Sequence, residues 1–115
     1  STTFVDRVNT SKSPSHTADY LIEFDYTWAY DWTGNNFECE LLVAGVIVRE
    51  HEQEPQDSGG SDGGAGTDQR MPGRLVYMHS ATASTSFTIQ VRFRTESGGV
   101  EATIRDSVLK VERYI

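Results

Sequence analysis

The chain has 115 residues, which is enough for one domain with a two-layer core and too few for a second domain. Its 17 acidic and 10 basic residues give a net charge of −7, which argues against nucleic acid as a partner because phosphate contacts require clustered lysine and arginine. No apolar run approaches the roughly 18 residues of a membrane span, so we expect no membrane partner. The polar start at Ser1 lacks a secretory pattern and favours cytoplasmic synthesis, with a trimmed secreted chain as the alternative.

Residues 1–17 are predicted to form an N-terminal arm before a single domain at 18–115. Residues 2–8 have the composition of a short strand, and the polar, proline-containing stretch 9–17 predicts a loop. In the next segment, 18–28, large apolar side chains recur at every second position; they are Tyr20, Ile22, Phe24, Tyr26 and Trp28. This period of two predicts a central strand with one dry face.

A turn is predicted at residues 31–36, where Gly34 and two asparagines can adopt positive φ at little cost. Alternating apolar residues at 37–43 predict a second strand, which we expect to pair with the first. Ala44 and Gly45 predict a tight hairpin turn into a return strand. That strand ends in the charged stretch 50–54, which is typical of a protected sheet edge.

The stretch 55–73 differs from the rest of the chain because it is rich in glycine and polar residues and has almost nothing apolar before Met71. We expect a long flexible loop here. A further strand is predicted at 74–80, with Leu75 and Tyr77 on one face.

Residues 86–115 carry the clearest strand pattern in the chain. Two alternating segments flank the Gly98–Gly99 pair, which predicts a closing antiparallel hairpin. The whole chain therefore predicts an all-β fold, an antiparallel β-sandwich of the jelly-roll type with about eight strands. This architecture buries two apolar sheet faces without long unprotected edges.

Cys39 is the only cysteine, so the chain has no disulfide of its own. Its neighbours at two-residue spacing, Phe37 and Leu41, place it on an apolar strand face, which predicts a buried and unreactive thiol. The alternative, a reactive thiol, would require a cationic and exposed setting.

The basic residues concentrate in the C-terminal third, at Arg92, Arg94, Arg105 and Arg113. They are predicted to form a cross-strand charge ladder with nearby acids, namely Glu96, Glu101, Asp106 and Glu112. Docking of an acidic partner on these arginines is the alternative. Glu38 and Glu40 are interpreted as a solvated strand face rather than as a catalytic pair.

No catalytic motif stands out, and we expect a protein without enzymatic activity, cofactor or metal. Asp57, Asp62 and Asp68 lack the spacing of an EF-hand calcium loop. The three histidines lie on separate predicted elements without a second ligand nearby; they are His16, His51 and His79.

Trp28, Tyr30 and Trp32 form an aromatic cluster at the end of the central strand and in the turn after it. Exposed aromatic rings on a sandwich rim can stack on sugars, which would make the cluster a carbohydrate-binding platform. Rings at such a position also complete a core or fill a subunit interface, and this interpretation is favoured.

The order of these features resembles the small jelly-roll domains of tailed-phage virion proteins, and its layout is similar to trimeric tumour-necrosis-factor-like jelly rolls. The segments that carry the resemblance are YLIEFDYTW, FECELLVAGVIV and the C-terminal SFTIQVRFRTESGGVEATIRDSVLKVERYI, of which GGVEATIRDSVLKV is the most telling. The likeness covers residues 18–115 and consists of strand and turn patterns, without catalytic signatures.

This resemblance implies a capsid decoration or cement protein on the virion surface, commonly a homo-trimer, that binds between subunits of the major capsid protein. An N-terminal arm that orders on contact with the partner would use Phe4 and Val5, and partner binding is also assigned to Trp28, Tyr30 and Trp32. The alternative is a carbohydrate- or receptor-binding module at a fibre or spike tip. A cytokine-like extracellular ligand is a weaker third hypothesis.

Overall fold

The computed structural model describes residues 3–30, 36–53, 71–95 and 102–114. They form seven strands: β1 (Val5–Lys12), β2 (Ala18–Tyr30), β3 (Phe37–Val43), β4 (Val46–Gln53), β5 (Met71–Ala81), β6 (Phe87–Thr95) and β7 (Ala102–Tyr114). A four-stranded sheet in the order β1-β6-β3-β4 faces a three-stranded sheet in the order β5-β2-β7. The predicted all-β antiparallel sandwich is confirmed, with seven described strands where about eight were predicted. Within these ranges no helix is long and apolar enough to cross a membrane.

Strand β2 is the centre of the three-stranded sheet, as its alternating sequence predicted. It pairs with β5 on one side and with β7 on the other along most of its length. Its inward side chains meet those of β3 and β6 from the opposite sheet, and burial of such large groups stabilises the fold by about 1.5–3 kcal/mol each. The most deeply buried large side chains are Ile22, Phe24, Trp28, Phe37, Leu41, Ile89 and Val91.

The predicted hairpin at Ala44 and Gly45 is confirmed. Both residues have positive φ, at 52° and 81°, which suits a two-residue turn whose twist matches the flanking strands. Strand β4 is the edge of its sheet, and its acidic residues Glu50 and Glu52 are exposed, as expected for a protected edge.

Two predicted strand pairings are wrong. Strand β3 does not pair with β2 but lies in the other sheet, between β6 and β4. The predicted closing hairpin also fails, because β6 belongs to the four-stranded sheet and β7 to the three-stranded sheet. Period-two alternation shows which face of a strand is dry, but it carries no information about the neighbouring strand.

Strand limits at two places differ from the sequence-based expectation. Strand β1 covers Val5–Lys12 rather than 2–8, and it pairs with β6 along the sheet edge. Strand β5 begins at Met71, so the last part of the predicted 55–73 loop is sheet, whereas residues 54–70 lie outside the described ranges. Gly73 pairs with Tyr26, and a Cβ atom at Gly73 would lie 2.2 Å from Cζ of that tyrosine. Glycine is therefore required by close packing inside a strand.

Arginine side chains join the two sheets along both open sides of the sandwich. On the β1–β7 side, Arg7 donates hydrogen bonds to the Ser107 hydroxyl at 3.1 and 2.9 Å. On the β4–β5 side, Arg49 donates to the Val76 carbonyl at 2.9 Å and lies over the Tyr77 ring at 5.1 Å. These contacts fix the position of one sheet relative to the other at both open sides.

Candidate functional site

The N-terminal segment is fastened to the outer face of the four-stranded sheet. Phe4 is half-buried there, and the guanidinium carbons of Arg92 and Arg94 lie 4.6 and 4.5 Å from the centre of its ring. A guanidinium over the face of an aromatic ring is attracted by the negative charge of that face. Val5, the first residue of β1, is 49% exposed. Of the two N-terminal residues assigned to partner binding, Phe4 therefore packs on its own domain and Val5 faces solvent.

The same two arginines form ion pairs with β3. Arg92 Nε lies 2.9 Å from Glu40 Oε1, and Arg94 pairs with Glu38, whose carboxylate raises the pKa of the Arg94 guanidinium. Glu40 is only 8% exposed, so the prediction of a solvated Glu38–Glu40 face is wrong. The pairing follows from register, since each arginine lies directly opposite its glutamate across the β3–β6 ladder.

The predicted charge ladder is therefore wrong: Arg92 and Arg94 pair with glutamates of β3 instead of the predicted acids. Arg105 and Arg113 lie on β7 in the other sheet, so the four arginines do not form one row. Glu96 and Glu101 lie outside the described residues. Sequence reasoning assigned the acids nearest along the chain, whereas the β3–β6 pairing supplies acids more than fifty positions away.

A small pocket of about 50 Å³ lies beside Phe4. Four carboxylates line it in two cross-strand pairs, Glu38 with Glu52 and Glu40 with Glu50, together with Arg94. Asn36 Nδ2 donates a hydrogen bond of 2.7 Å to Glu52. Like charges directly opposite each other are unfavourable, and the two arginines of β6 offset that repulsion through their ion pairs with Glu38 and Glu40. In the described part of the chain, no group of three potential ligands is placed to hold a metal ion.

Of the three side chains of the predicted aromatic platform, the structure describes that of Trp28. Trp28 has no exposed surface and stacks on Phe37 with ring centres 4.4 Å apart and planes inclined by 8°, so it belongs to the core. Its Nε1 group has no hydrogen-bond partner within the described residues. For Tyr30 the structure describes the backbone at the end of β2, and Trp32 lies outside the described ranges.

A partly buried polar cluster around His51 was missed by sequence reasoning. His51 Nδ1 is hydrogen-bonded to the Tyr26 hydroxyl, and Nε2 is 3.0 Å from Gln53 Oε1. The ring packs against Trp28 and Phe37, both with centres 5.9 Å away. Because His51 follows Glu50, the alternation of β4 alone would have placed it on the inner face, opposite to its acidic neighbours.

Cys39 is buried next to this cluster, as predicted. Burial is the main cause that raises the pKa of its thiol to about 12, and burial likewise raises the pKa of Tyr26 well above its ordinary value. A thiol with so high a pKa is protonated near neutral pH and is a poor nucleophile. The cluster of Tyr26, Cys39 and His51 therefore serves packing and hydrogen bonding at this end of the core.

Comparison with known proteins finds no matching family model, no matching curated protein and no matching solved structure.

Proposed function

We propose that this chain is a non-enzymatic structural protein that binds to a larger protein assembly, of the virion decoration type that its sequence resembles. The observation that supports this proposal is a pair of exposed valines on one edge of the sandwich. Val5 on β1 and Val108 on β7 are 49% and 51% exposed, and β1 and β7 are edge strands joined by the Arg7–Ser107 hydrogen bonds.

This β1–β7 edge has the properties of a contact surface. Exposed valines gain burial when a partner covers them, at about 25 cal/mol per Å² of apolar surface. Contacts between the sheets already order the edge, so little conformational entropy is lost when a partner binds. We propose the capsid lattice as that partner and a trimer as the assembly, with each bound copy stabilising the lattice by its own binding free energy.

Co-sedimentation with empty phage capsids tests this proposal. Val5→Asp combined with Val108→Asp is expected to abolish binding, because it introduces charge at both exposed valines without touching the core. Val46→Asp is the matched control: Val46 is 61% exposed on the β3–β4 hairpin, away from this edge, and its replacement should leave binding intact. Undiminished binding of the double variant would contradict the assignment of the edge.

Light scattering of the purified protein tests the assembly state separately. A mass three times that of the chain is expected, and a monomer would remove the trimer from the proposal while leaving decoration by single copies. Binding to a glycan array that is lost in Trp32→Ala would instead support the carbohydrate-binding alternative.

A further inference from the structure

A pocket of about 250 Å³ opens between the two sheets at the end of the sandwich that holds the Ala44–Gly45 turn. We call this the hairpin pocket. One side of the pocket is formed by the end of β1 and the loop that follows it. The other side is formed by the last part of β7. Its lining consists of Lys12, Ser13, Pro14, Ser15, Tyr20, Phe87 and Val111.

The inner wall of the hairpin pocket is apolar and held in place by its neighbours. Phe87 is 7% exposed, its ring centre is 6.4 Å from that of Tyr20, and the two planes are inclined by 49°. The ring of His79 also packs against Phe87, with the two ring centres 4.4 Å apart. The Tyr20 hydroxyl donates a hydrogen bond of 3.0 Å to the carbonyl of His16, which orients the tyrosine ring. These walls are preformed, as in most small-molecule sites.

The rim of the hairpin pocket is polar and carries one positive charge. The Ser13 hydroxyl is 2.7 Å from that of Ser86, and the Ser15 hydroxyl is 3.0 Å from His16 Nδ1, so both are held in position. Among the described residues that line the pocket there is no carboxylate, although the chain has a net charge of −7. Lys12 forms no ion pair within the described ranges, so its ammonium group is available to a ligand.

We propose that the hairpin pocket binds a small organic anion with a ring or a short apolar body. The body would lie against Tyr20, Phe87 and Val111, and its carboxylate or sulfonate would face Lys12. The volume of the hairpin pocket is larger than that of a cavity of about 150 Å³ that holds benzene. It is slightly smaller than the roughly 300 Å³ of the smallest typical ligand pockets. A compound of one or two rings therefore fits, and a larger ligand does not.

Titration with 2-naphthoate, followed by backbone amide chemical shifts, tests this site directly. Saturable shifts are expected around Tyr20, Phe87 and Val111. The neutral analogue 2-naphthalenemethanol should bind about three- to fivefold more weakly, because an exposed ion pair is worth up to about that factor. Shifts that do not saturate, or that centre on another part of the chain, would overturn the proposal.

Variants separate the two parts of the proposed site. Lys12→Gln should remove the preference for the anion while leaving the affinity of the neutral analogue unchanged. Lys110→Gln is the matched control, since Lys110 is exposed on β7 and does not line the pocket, and the preference should persist.

Filling the pocket tests the apolar part. Val111→Phe should abolish binding of both compounds. If that variant fails to fold, Ser15→Trp at the exposed rim should obstruct the same space without disturbing the core. Binding that survives in a folded variant of either kind would contradict the assignment of the ligand to this pocket.

Discussion

The two ends of the sandwich differ in how completely large side chains fill the space between the sheets. At the aromatic end, defined by Tyr26, Trp28, Phe37 and His51, rings from both sheets stack and meet edge to face. At the hairpin end, Tyr20 and Phe87 meet at a tilt with their centres 6.4 Å apart, and a pocket remains beside them.

The difference shows that one sequence pattern can lead to two kinds of interior. Both ends are made of strands with period-two alternation, and both place aromatic residues on the dry face. Whether the space between the sheets is filled depends on which rings lie opposite each other. A gap of about 1 Å between two rings already removes much of their dispersion attraction. The aromatic end therefore contributes more to stability, and the hairpin end leaves open space between the sheets.

The largest expected effect is that of Trp28→Ala. Removing a fully buried indole that stacks on Phe37 should lower the free energy of unfolding by about 4 kcal/mol. Tyr20→Ala at the hairpin end is the matched change and should cost about half as much, because its ring already borders open space. Urea denaturation measures both, and equal losses would mean that the two ends are packed alike.

Gly73→Val should destabilise the aromatic end by about 3 kcal/mol through overpacking. The new side chain would occupy the space of the Tyr26 ring, which Phe37 and His51 hold in place. Thermal unfolding measures the loss. Combining the change with Tyr26→Ala should relieve part of it, and an additive double variant would show that the two residues do not collide.

Cys39 tests how well the aromatic end excludes solvent. Its thiol should resist labelling by a disulfide reagent at pH 8 in the native state, because its pKa is raised to about 12. A cysteine introduced by Ser15→Cys on the rim of the hairpin pocket should react quickly and serves as the control. Rapid labelling of Cys39 in the folded protein would show that this end opens to solvent.

The raised pKa of the Cys39 thiol makes the free energy of unfolding depend on pH. An acid whose pKa rises on folding keeps its proton in the native state while the unfolded state loses it, so stability falls as pH rises above the ordinary value of 9.0. The difference in unfolding free energy between the natural protein and Cys39→Ala should therefore decrease from pH 8 to pH 10.

The smallest effect is expected at Asp6, on the exposed edge strand outside both ends. Hydrogen bonds from Gln90 and Asn9 lower the pKa of its carboxyl below 3.8. The stability that these bonds supply is present above about that pH and is lost as the pH falls through the lowered pKa. An NMR titration should show this pKa rising in Gln90→Ala, and an unchanged value would remove the assigned cause.

Prediction from sequence succeeded where a property is local to one strand. The alternation of β2 predicted a central strand, Ala44 and Gly45 predicted the hairpin, and the spacing around Cys39 predicted its burial. It failed at Gly73, where the richness of the stretch 55–73 in glycine and polar residues was interpreted as a sign of a loop. The glycine is instead required by Tyr26 on a strand nearly fifty positions away, a relation that no local pattern contains.

For the candidate site, the residue types were recognised but their partners were not. Phe4 was assigned to a partner, yet the arginines that hold it come from β6. His51 belongs to the stretch 50–54 that was interpreted as a charged edge, although its ring packs against Tyr26 and Trp28. Such contacts form only when the strands assemble into sheets and the sheets pack together. The residues in contact are far apart in the sequence, so the periodicity of a single strand does not predict them.

The amino-acid sequence by itself determined the strands, their dry faces and the turn between β3 and β4, because side-chain direction alternates along any extended chain. The tertiary structure decided which sheet each strand joins, which glutamate meets which arginine and where a pocket stays open. Backbone ladders are nearly the same for every pair of strands, so the choice among neighbours depends on how all the inward side chains fill the shared interior.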